Sequence, residues 1–257
     1  MLSAANFMDL KDLRKNWNLF GKTDALYAIL TRDWKEKGRW NIDDFFATGE
    51  EEIKEIMNSI SSRQLLKSHK KALDFGCGVG RLTQPLCHYF DEVHGVDIAA
   101  SMVERANQYN KHKDKCFYHV NEKEDLSIFP GESFDFIYTC ITLQHMHPVY
   151  AKKYIREFIR LLAPAGIVIF QIPQAPYAFG APVTRREKIK RSIPPFILKI
   201  YHHIRYGGTR PVMQTYGIPK HEVLDLLREC GAKVVEVEES AMIIKDWISV
   251  CYSAQKI

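Results

Sequence analysis

The sequence KALDFGCGVGRLTQPL, residues 71–86, determines the predicted fold of this chain. Near its start, Ala72, Leu73 and Phe75 form a compact apolar run, which is typical of a strand buried on both faces of a parallel sheet. Gly76, Gly78 and Gly80 follow, and glycine both adopts positive φ without strain and lets a ligand approach the backbone. We expect a helix from about Arg81, with its first N–H groups pointing towards whatever the loop holds.

Two acidic residues accompany the glycine loop. The spacing G-x-G-x-G differs from the G-x-G-x-x-G pattern of dinucleotide-binding folds, so the glycines alone indicate only a ligand site. Asp74 lies immediately before the loop, and Asp97 ends a second apolar segment at 93–96. An acid at the tip of the next parallel strand, about 20 residues on, is placed to accept hydrogen bonds from a ribose diol.

Four segments of the chain carry a family resemblance. They are LDFGCGVGRLT (73–83), GVDIAASMVERA (95–106), SFDFIYTCITLQHM (133–146) and LLAPAGIVIFQIP (161–173). Together they resemble the motifs of the class I S-adenosylmethionine-dependent methyltransferases. The resemblance implies an α/β fold with a seven-stranded, mostly parallel Rossmann-like sheet. Its last two strands, at 233–238 and 247–253, are expected to form an antiparallel pair at the sheet edge.

The resemblance also implies a cofactor, S-adenosylmethionine, with S-adenosylhomocysteine as its product. The cofactor would lie across the carboxyl ends of strands one, two and four. The residues implied to bind it are Asp74, Gly76, Cys77, Gly78, Gly80, Asp97, Ile98, Glu122 and Cys140. In this assignment the glycines flank the methionine and ribose, and Asp97 binds the ribose hydroxyls. Asp74 acts near the amino group, directly or through water, and the backbone of Cys140 and Ile141 contacts the methionine part.

The acidic stretch NEKEDLSIFPGESFD resembles the family segment that holds the adenine. Glu122 lies where the family often places an acidic side chain near the adenine amino group, with the backbone N–H of Lys123 beside it. A slip of one or two residues would give the role to Asp125 instead. A solvated acidic turn without a ligand is the third interpretation.

Histidines follow the predicted fourth strand. A histidine titrates near neutral pH and suits the role of general base for an oxygen or nitrogen acceptor. We predict His145 as this base, with His147 as a weaker candidate. The alternative is that His145 caps the next helix or packs beneath the cofactor.

Composition limits the class of protein. The 257 residues are 46% hydrophobic, which suffices for one large α/β domain. No run approaches the length of a membrane span, and the N-terminal segment does not resemble a signal peptide. The six cysteines form no C-x-x-C pair, so we predict reduced thiols, no metal site and a cytoplasmic location. We divide the chain into an N-terminal helical cap (1–70) and a methyltransferase domain (71–257).

Positive charge is concentrated in a predicted insertion, 175–215, before the last helix–strand unit. Between positions 181 and 210 there are eight basic residues and one acidic residue, whereas the whole chain has a net charge of +5. The segment is interpreted as a solvated face, a lid attracting an anionic acceptor, or a peripheral membrane contact. Nucleic acid is a weaker candidate because the basic patch is short.

The class of methyl acceptor is indicated only by the family motifs that this sequence lacks. The acid and asparagine pattern of metal-dependent catechol enzymes is not evident, and TCITL (139–143) replaces the signature of amino-methylating DNA enzymes. We therefore predict methylation, on oxygen, of a small molecule or of a glycan- or lipid-linked acceptor. The alternatives are an RNA- or protein-directed methyltransferase that docks through the insertion, and a cofactor-binding module without turnover.

Overall fold

The computed structural model describes residues 8–31, 38–174, 211–244 and 247–257. Seven strands form one sheet in the order β3-β2-β1-β4-β5-β7-β6. They are β1 (Lys71–Phe75), β2 (Glu92–Asp97), β3 (Cys116–Val120), β4 (Phe134–Thr139), β5 (Leu162–Pro173), β6 (Ala232–Ile244) and β7 (Trp247–Lys256). The first five strands pair in parallel, and β7 pairs antiparallel with β5 and β6. The predicted seven-stranded, mostly parallel sheet is confirmed.

Helices precede the sheet and connect its strands. The described helices are α1 (Leu10–Thr23), α2 (Ala25–Ile29), α3 (Ile42–Ser62), α4 (Thr83–Leu86), α5 (Ala100–Tyr109), α6 (Pro148–Leu161) and α7 (Lys220–Glu229). Leu10 and Leu13 of α1 join the core that also contains Leu73 and Phe75 of β1. This packing holds α1 beside the glycine loop. None of the described helices is both long and apolar enough to span a lipid bilayer.

The helix after the glycine loop is shorter than predicted. It begins at Thr83, not at Arg81, and ends at Leu86. Pro85 has no N–H to donate to the carbonyl of Arg81, four residues earlier. That carbonyl faces α3 instead, where a Cβ added to Gly49 would lie 2.1 Å from it. The helix therefore begins two residues later than expected, and the orientation of its first N–H groups towards the ligand stays a prediction.

Strand β5 contains an irregularity near its start. Ala165 has a φ of +63°, and the pairing of β4 with β5 shifts register between Phe134 and Phe136. Most of the predicted insertion, residues 175–210, lies outside the described residues. The division of the chain at residue 70 stays a prediction, although α1, α2 and α3 all precede it.

Candidate active site

The loop after β1 closes over the carboxyl end of β2. The backbone N–H groups of Gly76 and Cys77 both donate to the carbonyl of Val96, at 2.7 and 3.0 Å. Gly76, Gly78 and Gly80 all have positive φ. Only glycine adopts this conformation without strain, so the three glycines fix the path of the loop.

Asp97 ends β2 beside this loop. Its Oδ2 accepts a hydrogen bond from the N–H of Gly78 at 2.9 Å, and its Oδ1 accepts one from Ala99 at 2.8 Å. Burial raises the pKa of Asp97 to about 6, and these backbone hydrogen bonds oppose the rise. The group is therefore mainly a carboxylate at neutral pH. It retains accepting capacity for a ligand, because a carboxylate has roughly four acceptor positions.

A pocket opens between the glycine loop, the ends of β2 and β4, and the N-terminal helices. The predicted site residues that line it are Gly76, Cys77, Gly78, Asp97, Ile98, Cys140 and His145. The other side of the pocket is an apolar wall formed by Leu10, Leu13 and Trp17 of α1 and Ile29 of α2. The pocket thus joins polar groups at the sheet edge to apolar side chains from the helices.

Two of the residues predicted to bind the cofactor, Asp74 and Gly80, lie behind the residues that line the pocket. Asp74 is 1% exposed beneath the loop, where its carboxyl accepts a hydrogen bond from the Thr83 hydroxyl at 2.6 Å. Gly80 faces β3, since a Cβ added to it would lie 2.2 Å from the Tyr118 hydroxyl oxygen. Both residues support the loop from below and do not face the pocket.

Asp74 makes the stability of the protein depend on pH. Burial raises the pKa of Asp74 to about 7, against an ordinary value of 3.8. Between about pH 4 and pH 7 the folded protein holds a proton that the unfolded chain has lost, so this residue makes stability fall as pH rises. Asp74→Asn keeps an oxygen acceptor for Thr83 but cannot ionise.

We expect the unfolding free energy of Asp74→Asn, relative to wild type, to increase by about 3 kcal/mol between about pH 5 and pH 8. Urea unfolding of both proteins at the two pH values measures this difference. A difference between the two proteins that stays constant with pH would show that Asp74 does not titrate in this range.

The acidic segment after β3 is arranged differently from the prediction. Glu122 forms an ion pair with Arg14 of α1, and its side chain is 51% exposed. Its predicted contact with adenine does not fit this placement, and the alternative Asp125 does not line the pocket either. Asn121 lines the pocket instead. Its N–H donates to the carbonyl of Asp97 at 2.9 Å, and its amide donates to the carbonyl of Asp125 at 2.7 Å.

The chain after β4 enters the pocket in a strained conformation. Ile141 has a φ of +58°, which is rare for a β-branched residue. Gln171 of β5 holds it there, because its Oε1 accepts the N–H of Ile141 at 3.1 Å and lies 3.3 Å from the Cys140 sulfur. Burial raises the pKa of Cys140, so this thiol is protonated and donates. Backbone strain of this kind concentrates at functional sites.

His145 lies in the 3₁₀ turn Leu143–His145 and is 5% exposed. Its Nδ1 lies 2.9 Å from the carbonyl oxygen of Gln214, so Nδ1 carries the proton. Its Nε2 accepts from the amide of Gln144 at 3.2 Å. Burial lowers the pKa of His145 to about 4. The ring packs against Trp17, with centroids 5.3 Å apart, and is neutral at pH 7.

Some lining residues were not anticipated from the sequence. They include Arg81, Asn121, Thr142, Met146 and Tyr154, together with the apolar wall from α1 and α2. Asn121 could have been identified from the sequence, because it is a polar residue directly after a predicted strand. His147, the weaker base candidate, instead accepts a hydrogen bond from the N–H of Val149 at 3.4 Å and caps the N-terminus of α6.

Comparison with known sequences identifies a domain. Residues 73–170 match a family model described as a methyltransferase domain. A ubiquinone biosynthesis O-methyltransferase from Xanthomonas axonopodis pv. citri is 27% identical over 188 residues, which are 72% of this chain and 71% of the relative. The enzyme of the same name from Xanthomonas oryzae pv. oryzae is 30% identical over 126 residues, 48% of this chain and 52% of the relative.

Comparison with solved structures agrees in fold. Magnesium protoporphyrin IX methyltransferase from Synechocystis PCC 6803, with bound SAH, aligns at a TM-score of 0.64 and 19% identity. The alignment covers 96% of this chain and 99% of that one. An S-adenosylmethionine-dependent methyltransferase from Mesorhizobium loti aligns at a TM-score of 0.53 and 19% identity, covering 76% and 95% of the two chains.

Proposed function

We propose that this chain, whose residues 73–170 match a methyltransferase domain, transfers a methyl group from S-adenosylmethionine to an oxygen atom of a small, largely apolar acceptor. The observation that supports this acceptor class is the apolar wall formed by Leu10, Leu13, Trp17 and Ile29. Such a wall favours an aromatic or lipid-linked molecule over a bare glycan. The name of the Xanthomonas relatives, ubiquinone biosynthesis O-methyltransferase, supports oxygen as the acceptor atom.

The described residues fit S-adenosylmethionine. Gly76 and Gly78 line the pocket, so a bound ligand would lie beside their backbone. In our proposal Asp97 accepts hydrogen bonds from the ribose hydroxyls, the amide of Asn121 pairs with the adenine edge, and the backbone at Cys140 contacts the methionine part. When bound, the cofactor supplies an electrophilic methyl group on a sulfonium sulfur.

The chain itself contributes mainly placement and water exclusion. Holding two reactants in a productive geometry lowers a barrier by roughly 7–11 kcal/mol. The apolar wall is suited to this task, because Leu13 is buried and Trp17 packs against the ring of His145. Side chains of this kind keep water away from the reacting atoms.

In this proposal His145 accepts the proton of the acceptor hydroxyl at Nε2. That nitrogen is free of a proton, but the amide of Gln144 must first turn away from it. Proton transfer by a positioned base contributes about 10²–10⁴-fold, and a base with a pKa of about 4 lies at the weak end of that range. We therefore expect His145→Asn to lower kcat by about 100-fold without changing cofactor affinity.

The pH dependence of kcat is the control for the proposed role of His145 as the base. Because burial lowers the pKa of His145 to about 4, the wild-type kcat should be flat from about pH 6 upwards. A kcat of His145→Asn close to wild type would remove the base role. A wild-type rate that falls with an apparent pKa near the ordinary value of 6.5 would instead contradict the lowered pKa of His145.

The acceptor class is tested by measuring S-adenosylhomocysteine release with a panel of acceptors. The panel contains phenols with and without an alkyl or prenyl chain, a carboxylic acid, an oligosaccharide, RNA and an unstructured protein. We expect turnover with apolar phenols that improves with chain length. Turnover confined to RNA or protein would favour the alternative function through the insertion, whose residues 175–210 lie outside the described ranges.

A cytoplasmic location stays a prediction.

A further inference from the structure

Arg81 is a buried cation in the pocket wall. The residue directly follows Gly80, is 4% exposed and lines the pocket. Its Nη1 forms an ion pair with Glu52 of α3 at 2.8 Å and lies 3.4 Å from the Thr48 hydroxyl. The Tyr138 hydroxyl donates to the other carboxylate oxygen of Glu52 at 2.8 Å. The guanidinium is thus held from the α3 side.

The Nε of Arg81 is a buried donor that has no hydrogen-bond partner among the described residues. A buried donor left unpaired costs about 1–3 kcal/mol, and more when it is charged, so native structures rarely leave one without a partner. Nε and the neighbouring Nη2 form the edge of a guanidinium that binds a carboxylate with two parallel hydrogen bonds. Arg81 therefore has the donors for an anionic group of a bound ligand.

The charged side chains that line the pocket indicate which anionic group of the ligand Arg81 binds. Among the described lining residues, the charged side chains are Arg81 and Asp97, since His145 is neutral. Asp97 repels a carboxylate and suits the ribose end. We infer that Arg81 binds the methionyl carboxylate of S-adenosylmethionine, an assignment that rests on the cofactor site of the proposed function. Arg81 is then a cofactor-binding residue with Glu52 as the residue that positions it.

The test compares two ligands by calorimetric titration. Decarboxylated S-adenosylmethionine keeps the nucleoside, the sulfonium and the amine but lacks the carboxylate. Because a hydrogen bond to a charged group contributes about 1.5–3 kcal/mol, Arg81→Gln should weaken S-adenosylmethionine binding about tenfold or more. The same variant should bind the decarboxylated ligand as the wild type does, and the wild type should prefer the intact cofactor.

Arg63→Gln is the matched control. It also removes an arginine–glutamate ion pair, with Glu236, but this pair lies at the surface. Its affinity for both ligands should equal that of the wild type. If Arg81→Gln unfolds because Glu52 is left unpaired, the double variant Arg81→Gln/Glu52→Gln removes both charges and repeats the comparison.

The possible outcomes separate this inference from the proposed function. If Arg81→Gln weakens both ligands equally, or neither, the carboxylate contact is wrong while the cofactor assignment stands. If the wild type does not bind S-adenosylmethionine at all, the cofactor assignment fails and this inference fails with it. Turnover is not measured, so the identity of the acceptor does not affect the result.

Discussion

Asp97→Ala is expected to bind S-adenosylmethionine and S-adenosylhomocysteine about 100-fold more weakly than the wild type. Two of the roughly four acceptor positions of the Asp97 carboxylate are used by Gly78 and Ala99, which leaves two for the ribose diol. Hydrogen bonds to a charged acceptor contribute about 1.5–3 kcal/mol each, so two of them account for a loss of at least this size. Calorimetric titration with S-adenosylhomocysteine measures it.

Glu122→Ala is the matched control for this prediction. It removes a carboxylate from the same edge of the sheet, but one that is paired with Arg14 and lies outside the pocket. We expect its cofactor affinity to stay within about threefold of the wild type, because surface ion pairs contribute about 0–1 kcal/mol. Equal losses for Asp97→Ala and Glu122→Ala would contradict our assignment of the ribose site. Asp97→Asn, which keeps one oxygen acceptor, should lie between the two.

The sheet and the loop were predictable because their determinants are local. A buried strand, positive-φ glycines and an acid at the next strand end lie within 27 residues, from Lys71 to Asp97. The carboxyl ends of neighbouring parallel strands meet at one edge, so chain order alone places Asp97 beside the loop. The seven-stranded sheet as a whole was implied by the family resemblance, and its strand order was not predicted.

The residues after β3 show where sequence reasoning reaches its limit. Successive side chains of an extended chain point to opposite sides, so an error of one residue moves a side chain from the pocket to solvent. Asn121 faces the pocket and Glu122 faces Arg14 of α1. The partner that draws Glu122 outwards is 108 residues away in the sequence, and no local pattern reveals it.

The apolar wall and the state of His145 depend on the same long-range packing. Sequence periodicity predicts that α1 has an apolar face but not what this face covers. In the structure Trp17 packs on His145, and the carbonyl of Gln214, near the end of the predicted insertion, accepts a hydrogen bond from its Nδ1. Burial lowers the pKa of His145 and the hydrogen bond to Gln214 partly opposes this, so its charge could not be deduced from its position after β4.

Gly76→Ala is expected to lower the free energy of unfolding by about 3–5 kcal/mol and to abolish cofactor binding. Gly76 has a φ of +76°, and a Cβ there would lie 2.2 Å from Cγ2 and 2.7 Å from Cβ of Thr142. Thr142 cannot relieve this contact by turning its side chain alone, because its own Cβ is involved. Its movement would disturb the hydrogen bond to the carbonyl of Cys140, and with it the strained segment around Ile141.

Gly231→Ala separates the free-energy cost of the positive φ from that of the steric contact with Thr142. Gly231 has a φ of +72°, almost equal to that of Gly76, but a Cβ there meets nothing within 4 Å. The left-handed conformation alone costs about 1–2 kcal/mol, so Gly231→Ala should lose that much stability and keep its cofactor affinity. Urea unfolding and titration with S-adenosylhomocysteine measure both properties in each variant. If the two variants lose the same stability, the contact with Thr142 costs nothing, and the glycine is required only for its φ.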